Sequence, residues 1–513
     1  MAAMIRNADT MKIVYIVLSL IPMAAFSATY YVDPGRTSNG DGTEANPYKH
    51  WGDVSWGTVR NTLSNEDFTV YFSSQASEMW NTAFYPLAGA TGTTNGWLYL
   101  IGDEKYNLTA SGTAVWLTET NGNRHTLTNN GGAGGSANIL NNQAYITIQG
   151  FYLDTPTDGG INLGTGNPTT GIHDIIIQNC VIESPKLNHG IWMGYGETGC
   201  HSITVRGNTV TNTSLEGIYL GHYNYFGNGI TNCLVESNTL VNCGKGTEGD
   251  IDIKPAVSGA IIRYNTHYRT AGVTAGANCG VVVAANDVQV YGNEFYESDQ
   301  NAGNDWGFGV FVNSDGDGNN GQVISNCWIY NNLLYSNDRA GIKATATKTD
   351  SGADIQNLYI WNNLIANNGT YGIQLTTSNG KTITATIQNN IIGSNTNYDV
   401  YSAGDHITLC NNNLYYGPPT FYYNGSARTW AQWQALTWDA NGSTNAPTFD
   451  TGWQLASGST GIDDGATIAY FSIDINGVTR PINDTWDMGA YEWSSFWWET
   501  HDNTSSGLRI EGP

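Results

Sequence analysis

Ile203-Thr-Val-Arg-Gly-Asn208, Leu234-Val-Glu-Ser-Asn238, Ile261-Ile-Arg-Tyr-Asn265 and Val288-Gln-Val-Tyr-Gly-Asn293 are copies of one phrase: a short β-branched run, a polar residue or two, then Asn. It returns as Trp328-Ile-Tyr-Asn-Asn332, Tyr359-Ile-Trp-Asn-Asn363, Thr386-Ile-Gln-Asn-Asn390 and Thr408-Leu-Cys-Asn-Asn412, and two earlier copies carry Phe151 and Cys180 in place of the Asn. From Asn208 onward the gaps are 30, 27, 28, 39, 31, 27 and 22 residues. A repeat of this length marks a solenoid, whose units bury their apolar faces only against their neighbours.

Each unit carries a second short strand: Gly190-Ile-Trp-Met, Gly217-Ile-Tyr-Leu, Asp250-Ile-Asp-Ile, Gly280-Val-Val-Val, Gly309-Val-Phe-Val, Gly341-Ile-Lys-Ala and Gly372-Ile-Gln-Leu. Alternation sends one set of side chains inward and the other outward. Two or three such strands per turn, with Gly/Asn/Thr/Ser corners and no room for crossover helices, predict a parallel β-helix. An Asn at one fixed point per coil has a reason. Its amide both donates and accepts, so stacked copies satisfy a buried corner, and Asn tolerates left-handed backbone.

On these residues the chain resembles the right-handed parallel β-helix proteins of the pectate-lyase-like superfamily. The opening Tyr30-Tyr-Val-Asp-Pro and Ser38-Asn-Gly-Asp-Gly-Thr, and the closing Asp474-Ile-Asn-Gly-Val-Thr-Arg480-Pro and Asp487-Met-Gly-Ala-Tyr-Glu492, are similar to the entry and exit segments of secreted members. The resemblance implies a single-stranded right-handed parallel β-helix with a C-terminal cap. About ten to twelve coils at ~4.8 Å each give a rod of roughly 50 to 60 Å. This architecture carries lyases, hydrolases, epimerases and adhesins, so it leaves the activity open.

Residues 1–27 read as a secretory signal: Met11-Lys-Ile-Val-Tyr-Ile-Val-Leu-Ser-Leu-Ile-Pro-Met-Ala-Ala-Phe-Ser27 has a basic start, an apolar run and small residues at Ala25 and Ser27. No other stretch approaches transmembrane length. The expectation is a secreted or periplasmic monomer. Residues 28–140 read as N-terminal cap and irregular first coils, 141–416 as the regular stack, 417–493 as a capping segment and 494–513 as a tail. Trp430-Ala-Gln-Trp-Gln-Ala-Leu is predicted as a short helix over the open end, where an uncovered coil would expose unpaired strand edges.

Acidic residues outnumber basic ones 44 to 20, for a net charge of −24. That argues against nucleic acid or an anionic membrane as partner. A polyanionic sugar would need a bound cation or a local basic patch. The 17 Trp and 30 Tyr suit sugar stacking as well as core packing. Seven Cys without CxxC spacing read as buried thiols with at most one or two disulfides.

The local anomaly is Glu248-Gly-Asp250-Ile-Asp252-Ile-Lys254. Alternation predicts Asp250, Asp252 and Lys254 on one outward face, with Ile251 and Ile253 inward. The same outward position, coil by coil, reads Trp192, Tyr219, Asp252, Val282, Phe311, Lys343 and Gln374: aromatic platforms around a charged centre, as in the floor of a sugar groove. His189, Glu216 and His222 fall at strand ends nearby. Asp250 and Asp252, with Glu248 assisting, are candidate ligands for a hard cation such as Ca2+.

The cluster resembles the calcium-plus-lysine centre of β-helical polysaccharide lyases of the chondroitinase B and alginate lyase type. The resemblance implies Glu248 and Asp250 as calcium ligands and Lys254 as the base of a β-elimination on a uronate-containing glycan. The lysine falls one residue short of that pattern, and the next coil lacks its Arg, for which Arg269 or Arg263 stands nearest. Without a metal the neighbouring aspartates would keep Lys254 charged, so this reading requires calcium. Two further readings stay open. Asp250 and Asp252 meet the lower bound of the ~6.5–9.5 Å spacing of inverting glycoside hydrolases. A non-catalytic glycan-binding rod would use Trp192, Tyr219 and Phe311 alone. Asp315-Gly-Asp317-Gly-Asn319 opens like an EF-hand loop but has Asn320 and Asn326 at its sixth and twelfth positions, and so fails as one.

Overall fold

A computed structural model describes residues 28–494 apart from 74–76, 81–91, 93–95, 109–113, 119–123, 130–136, 140–141, 155–159, 165–169, 184–188, 194–198, 222–228, 245–247, 271–277, 300–305, 315–322, 348–353 and 483. The signal segment, the tail from 495, His222 and the Asp315–Asn319 loop lie outside the described residues.

Three long sheets run side by side up the molecule, one 16-stranded and two 12-stranded. Sheet one holds the repeated phrase, sheet two the short strand after each Asn, and sheet three the Gly-Ile-Trp-Met series. Neighbouring strands within a sheet come from successive coils and pair in parallel, as in Ile203 beside Ile175 and Val210 beside Leu240. Ile177, Val205, Val235, Ile262, Val290, Ile329, Ile360 and Ile387 form one fully buried inner stack. Each such side chain contributes about 1.5–3 kcal/mol by leaving water.

The corner between sheets one and two is held by the Asn ladder. Asn208 Nδ2 and its backbone N–H both donate to Asn238 Oδ1 at 3.0 Å. The same two bonds recur from Asn238 to Asn265, Asn265 to Asn293, Asn293 to Asn332, Asn332 to Asn363 and Asn363 to Asn390. Cys180, which stands in the ladder, donates its backbone N–H to Asn208 Oδ1, while its thiol meets the Gln178 and Ile148 carbonyls. The last rung corrects the sequence reading: Asn390 donates to Asn413, not Asn412. The left-handed conformation also belongs elsewhere. It is taken by the residue before each rung, among them Gly207, Ser237, Tyr264, Gly292, Asn331, Asn362, Asn389 and Asn412.

The last rung and the left-handed residues beside the ladder both hold the C-terminal segment. Asn413 donates twice to Asp439 Oδ1, while Asp439 Oδ2 accepts from Tyr415 Oη and Trp433 Nε1, each at 2.9 Å. Trp433 sits in a short helix, Trp430–Gln434, begun by a Thr429–Gln432 capping box. The left-handed asparagines bind the backbone of the closing segment: Asn331 donates to Ile473 O, Asn362 to Asp487 O, Asn389 to Ala466 O and Asn412 to Asp464 O. Arg480 pins that segment through Glu492 at 2.8 Å and the Gly489 carbonyl. All seven cysteines are buried thiols, and none is joined in a disulfide. Among the described residues no helix is long and apolar enough to cross a membrane.

Candidate functional site

The outward row of sheet three forms in register. Trp192 pairs with Tyr219, Tyr219 with Asp252, Asp252 with Val282, Val282 with Phe311, Phe311 with Lys343 and Lys343 with Gln374. It continues through Tyr401 and Tyr422, whose rings stack 4.6 Å apart. Residues some thirty apart in the chain become neighbours on one wall.

The wall is not an open floor, and its two halves differ. In the upper half Val282 and Phe311 pack with Cys279, Phe308 and Ala340 under Trp306 and Tyr371. Lys343 lies over the Phe308 ring at 4.7 Å and is itself buried. Phe311 and Lys343 therefore sit in an outer apolar cluster rather than forming an exposed sugar platform, because two aromatic side chains in one coil exclude water from the ammonium stem beside them.

In the lower half the polar groups converge. Lys254 Nζ lies 2.8 Å from Asp252 Oδ2 and 5.3 Å from the Tyr219 ring centre. The His189 ring stacks on Trp192 at 5.4 Å and meets Tyr219 edge-on at 5.1 Å. His189 Nε2 is 3.0 Å from Glu216 Oε2, which is almost fully buried. Thus Trp192, His189, Glu216, Tyr219, Lys254 and Asp252 form one run of contacts across three coils. Trp192 and His189, at 15 % exposure, are its partly open members.

Asp250 is placed differently from the prediction. It follows Gly160, Gly190 and Gly217 and precedes Gly280, Gly309, Gly341 and Gly372 in a corner row. At these corners a Cβ points into the interior: at Gly217 it would strike Leu240, at Gly280 Phe295, at Gly309 Leu334 and at Gly341 Ile365. Asp250 thus sends its carboxylate inward, and the inner residue it meets on sheet two is His267 where other coils carry Leu240 or Phe295. His267 Nδ1 is 2.6 Å from Asp250 Oδ2, Asn278 Nδ2 donates to Asp250 Oδ1 at 2.9 Å, and His267 Nε2 is 3.0 Å from Ser298 Oγ. This Asp–His–Ser series has the connectivity of a hydrolytic triad, but it faces the inside of the coil, in line with Leu240 and Phe295, and not the outer wall. Ser298 in turn donates its backbone N–H to Asn337, the start of a second ladder through Asn368 and Asn395. The series is the lower end of that ladder and takes no part in the outer wall.

Two of the three predicted calcium ligands, Asp250 and Asp252, point to opposite sides of the strand. Asp250 gives both oxygens to interior partners, and Asp252, on the opposite side of the strand, faces the Lys254 ammonium. The Glu248 side chain lies outside the described residues. Arg269 is also displaced from its predicted role: it is buried, with one terminal nitrogen donating to Cys243 O at 2.6 Å. Arg263 faces out from sheet one, bonded to Glu236 and Tyr291.

No family model and no curated protein sequence matches the chain. Among solved structures it is similar to XylC in its complex with xylose, with a TM-score of 0.51 and 11% identity over 91% of this chain and 98% of that one. It is also similar to the A-module of the Azotobacter vinelandii mannuronan C-5 epimerase AlgE6, at TM-score 0.46 and 14% identity over 74% and 91% of the two chains. For pectate lyase Pel9A the values are 0.41 and 12%, over 92% and 97%. At 11% identity the likeness to the first of these shows the fold alone, a right-handed parallel β-helix.

Proposed function

We propose that this right-handed parallel β-helix is an exported carbohydrate-active enzyme that cleaves a glycan lying against the lower half of the sheet-three wall. The observation that carries the reading is the run Trp192–His189–Tyr219–Lys254–Asp252, with Glu216 joined to it through His189, which sets aromatic faces beside two carboxylates from adjacent coils. Hydrolysis of a glycosidic bond is the reaction these groups suit best. A sugar ring first meets Trp192 and His189, whose faces stack on its C–H surface. Asp252, its charge balanced by Lys254, is the carboxylate suited to activate water or attack the anomeric carbon. Glu216, bonded to the His189 imidazole, is suited to deliver the proton to the leaving oxygen. The wall offers no excess of positive charge, and at −24 the protein as a whole favours a neutral glycan over a polyanion.

One observation favours β-elimination as a second reading. Lys254 is a cation on the wall, able to meet a uronate carboxylate while His189, oriented by Glu216, takes the neighbouring proton and Tyr219 protonates the leaving group. That route uses no calcium. The test is product analysis on neutral glycans (xylan, β-glucan, galactan) and uronate polymers (pectate, alginate, chondroitin), comparing wild type with Glu216→Gln and Asp252→Asn. New reducing ends without the ultraviolet absorbance of an unsaturated uronate identify hydrolysis, and that absorbance identifies elimination. Binding without product, or full activity in both variants, overturns the enzymatic reading in favour of a glycan-binding rod or a site elsewhere.

A further inference from the structure

A second cluster lies on sheet one, away from the wall. His173 and His201 are register partners in successive coils, with rings stacked 4.7 Å apart at 15°. Asp174 follows His173 directly, and in a regular strand its side chain would point to the other face. It does not, because Asp174 takes the left-handed conformation at φ 51°. That turn brings its Oδ2 to 2.8 Å from His173 Nδ1. Asp and Asn adopt this backbone more readily than most residues. Ser202, one coil on, has the same conformation at φ 55° and lies 3.2 Å from His201 Nδ1. Tyr145 closes the lower side, edge-on to His173 at 5.2 Å.

We propose that His173, Asp174 and His201 bind a divalent transition-metal ion of the zinc class, which clips two successive coils together. One donor atom from each residue lies within 4.8 Å of the other two. Tetrahedral ligation at ~2.0–2.1 Å places donors roughly 3.3 Å apart, so closure asks each group to move by about an ångström. His173 and Asp174 are each 28% exposed, which leaves room for that rotation and for a water at the fourth position. Two imidazoles and one carboxylate suit Zn2+, Co2+, Ni2+ or Cu2+. A single carboxylate is too few oxygens for Ca2+.

The experiment is a Zn2+ titration of the full, untagged chain, freed of metal, against a chromophoric chelator. It is repeated with Asp174→Asn, with His201→Ala and with a Ser202→Ala control, folding being checked by circular dichroism. The expected result is one ion per wild-type chain, binding weakened by about tenfold or more in Asp174→Asn and His201→Ala, and a higher melting temperature in Zn2+ for wild type and Ser202→Ala only. No micromolar binding by wild type, or equal binding by Asp174→Asn and His201→Ala, overturns the site. Glycan cleavage enters neither outcome, so this test stands or falls apart from the proposed activity.

Discussion

Lys254 Nζ and Asp252 Oδ2 lie 2.8 Å apart in a pair whose side chains are only 7% and 1% exposed. An ammonium held this way is an ion-pair partner, not a free base. Lys254→Ala leaves a buried carboxylate without its cation and is expected to cost about 3–5 kcal/mol, read by urea denaturation. Lys254→Ala with Asp252→Asn together should recover much of that loss. A double variant as unstable as the single would show that the pair does not carry the cost.

On activity, Asp252→Asn and Glu216→Gln are each expected to lower kcat about 10²–10⁴-fold. Trp192→Ala should instead raise KM, because a stacking face binds ground and transition states alike. Steady-state kinetics on the best glycan of the panel separates the two effects. A kcat loss confined to Trp192→Ala would reverse the assignment.

Removal of calcium with EGTA is expected to leave activity unchanged. Asp250 is committed to His267 and Asn278 in the interior, and Asp252 faces Lys254, so these two predicted ligands do not converge. Rates measured before and after dialysis, with and without added Ca2+, decide the matter. A calcium-dependent rate would place the metal on ligands other than these.

The interior pair supports a sharper test of the fold. Most coils set a Gly against an aliphatic or aromatic inner residue, and this one sets Asp250 against His267. Asp250→Gly or His267→Leu alone strands a buried polar partner, at an expected cost of about 3–5 kcal/mol. The double variant restores the ordinary Gly–Leu corner and is expected to recover part of that loss, the remainder being the buried Asn278 amide and Ser298 hydroxyl that lose their partners. Denaturant melts of the four proteins give the coupling energy.

That pair also shows where the sequence was legible and where it was not. The strand pairing of Trp192, Tyr219, Asp252, Val282 and Phe311 followed from phase alone, because period-two alternation and a coil near thirty residues fix register. The direction of Asp250 did not follow, since alternation breaks at the corner. Yet a signal was present: in the coils on either side, the column in which Asp250 stands reads Gly190, Gly217, Gly280, Gly309, Gly341 and Gly372. A column of glycines means a Cβ has nowhere to go but the interior. Burial of Phe311 was illegible for another reason, because Trp306, which covers it, precedes the strand and belongs to no repeat. The Asn412/Asn413 slip came from a run of three asparagines in which composition cannot choose the rung.

Acid stability offers a further check through Asp399, which takes the corner position of Gly372 one coil on. Its carboxyl accepts from Asn395 Nδ2 and the Thr420 N–H, yet burial dominates and lifts its pKa from 3.8 to about 6. A carboxyl with a raised folded value favours the native state most when protonated. Its contribution is therefore greatest below about pH 4 and is lost as the pH rises through about 6, an effect on the order of 2–3 kcal/mol. Asp399→Asn should show a flatter dependence of stability on pH between 4 and 6 than wild type. Parallel curves would mean that the carboxyl titrates normally.

The end of the ladder gives the largest expected single loss. Asp439 accepts from the backbone N–H and Nδ2 of Asn413, from Tyr415 Oη and from Trp433 Nε1. Asp439→Ala removes the acceptor from these four donors and from the Cys410 thiol, each worth about 1–3 kcal/mol where it is left stranded. Because these donors join the last rung to the capping helix, the loss should appear first as local opening. Hydrogen exchange should speed up from Ile407 through Gln434 before the coils around Asn265 respond. Asp439→Asn keeps one oxygen acceptor and should fall between the two. Uniform loss of protection along the whole stack would show instead that the cap and the coils unfold as one unit.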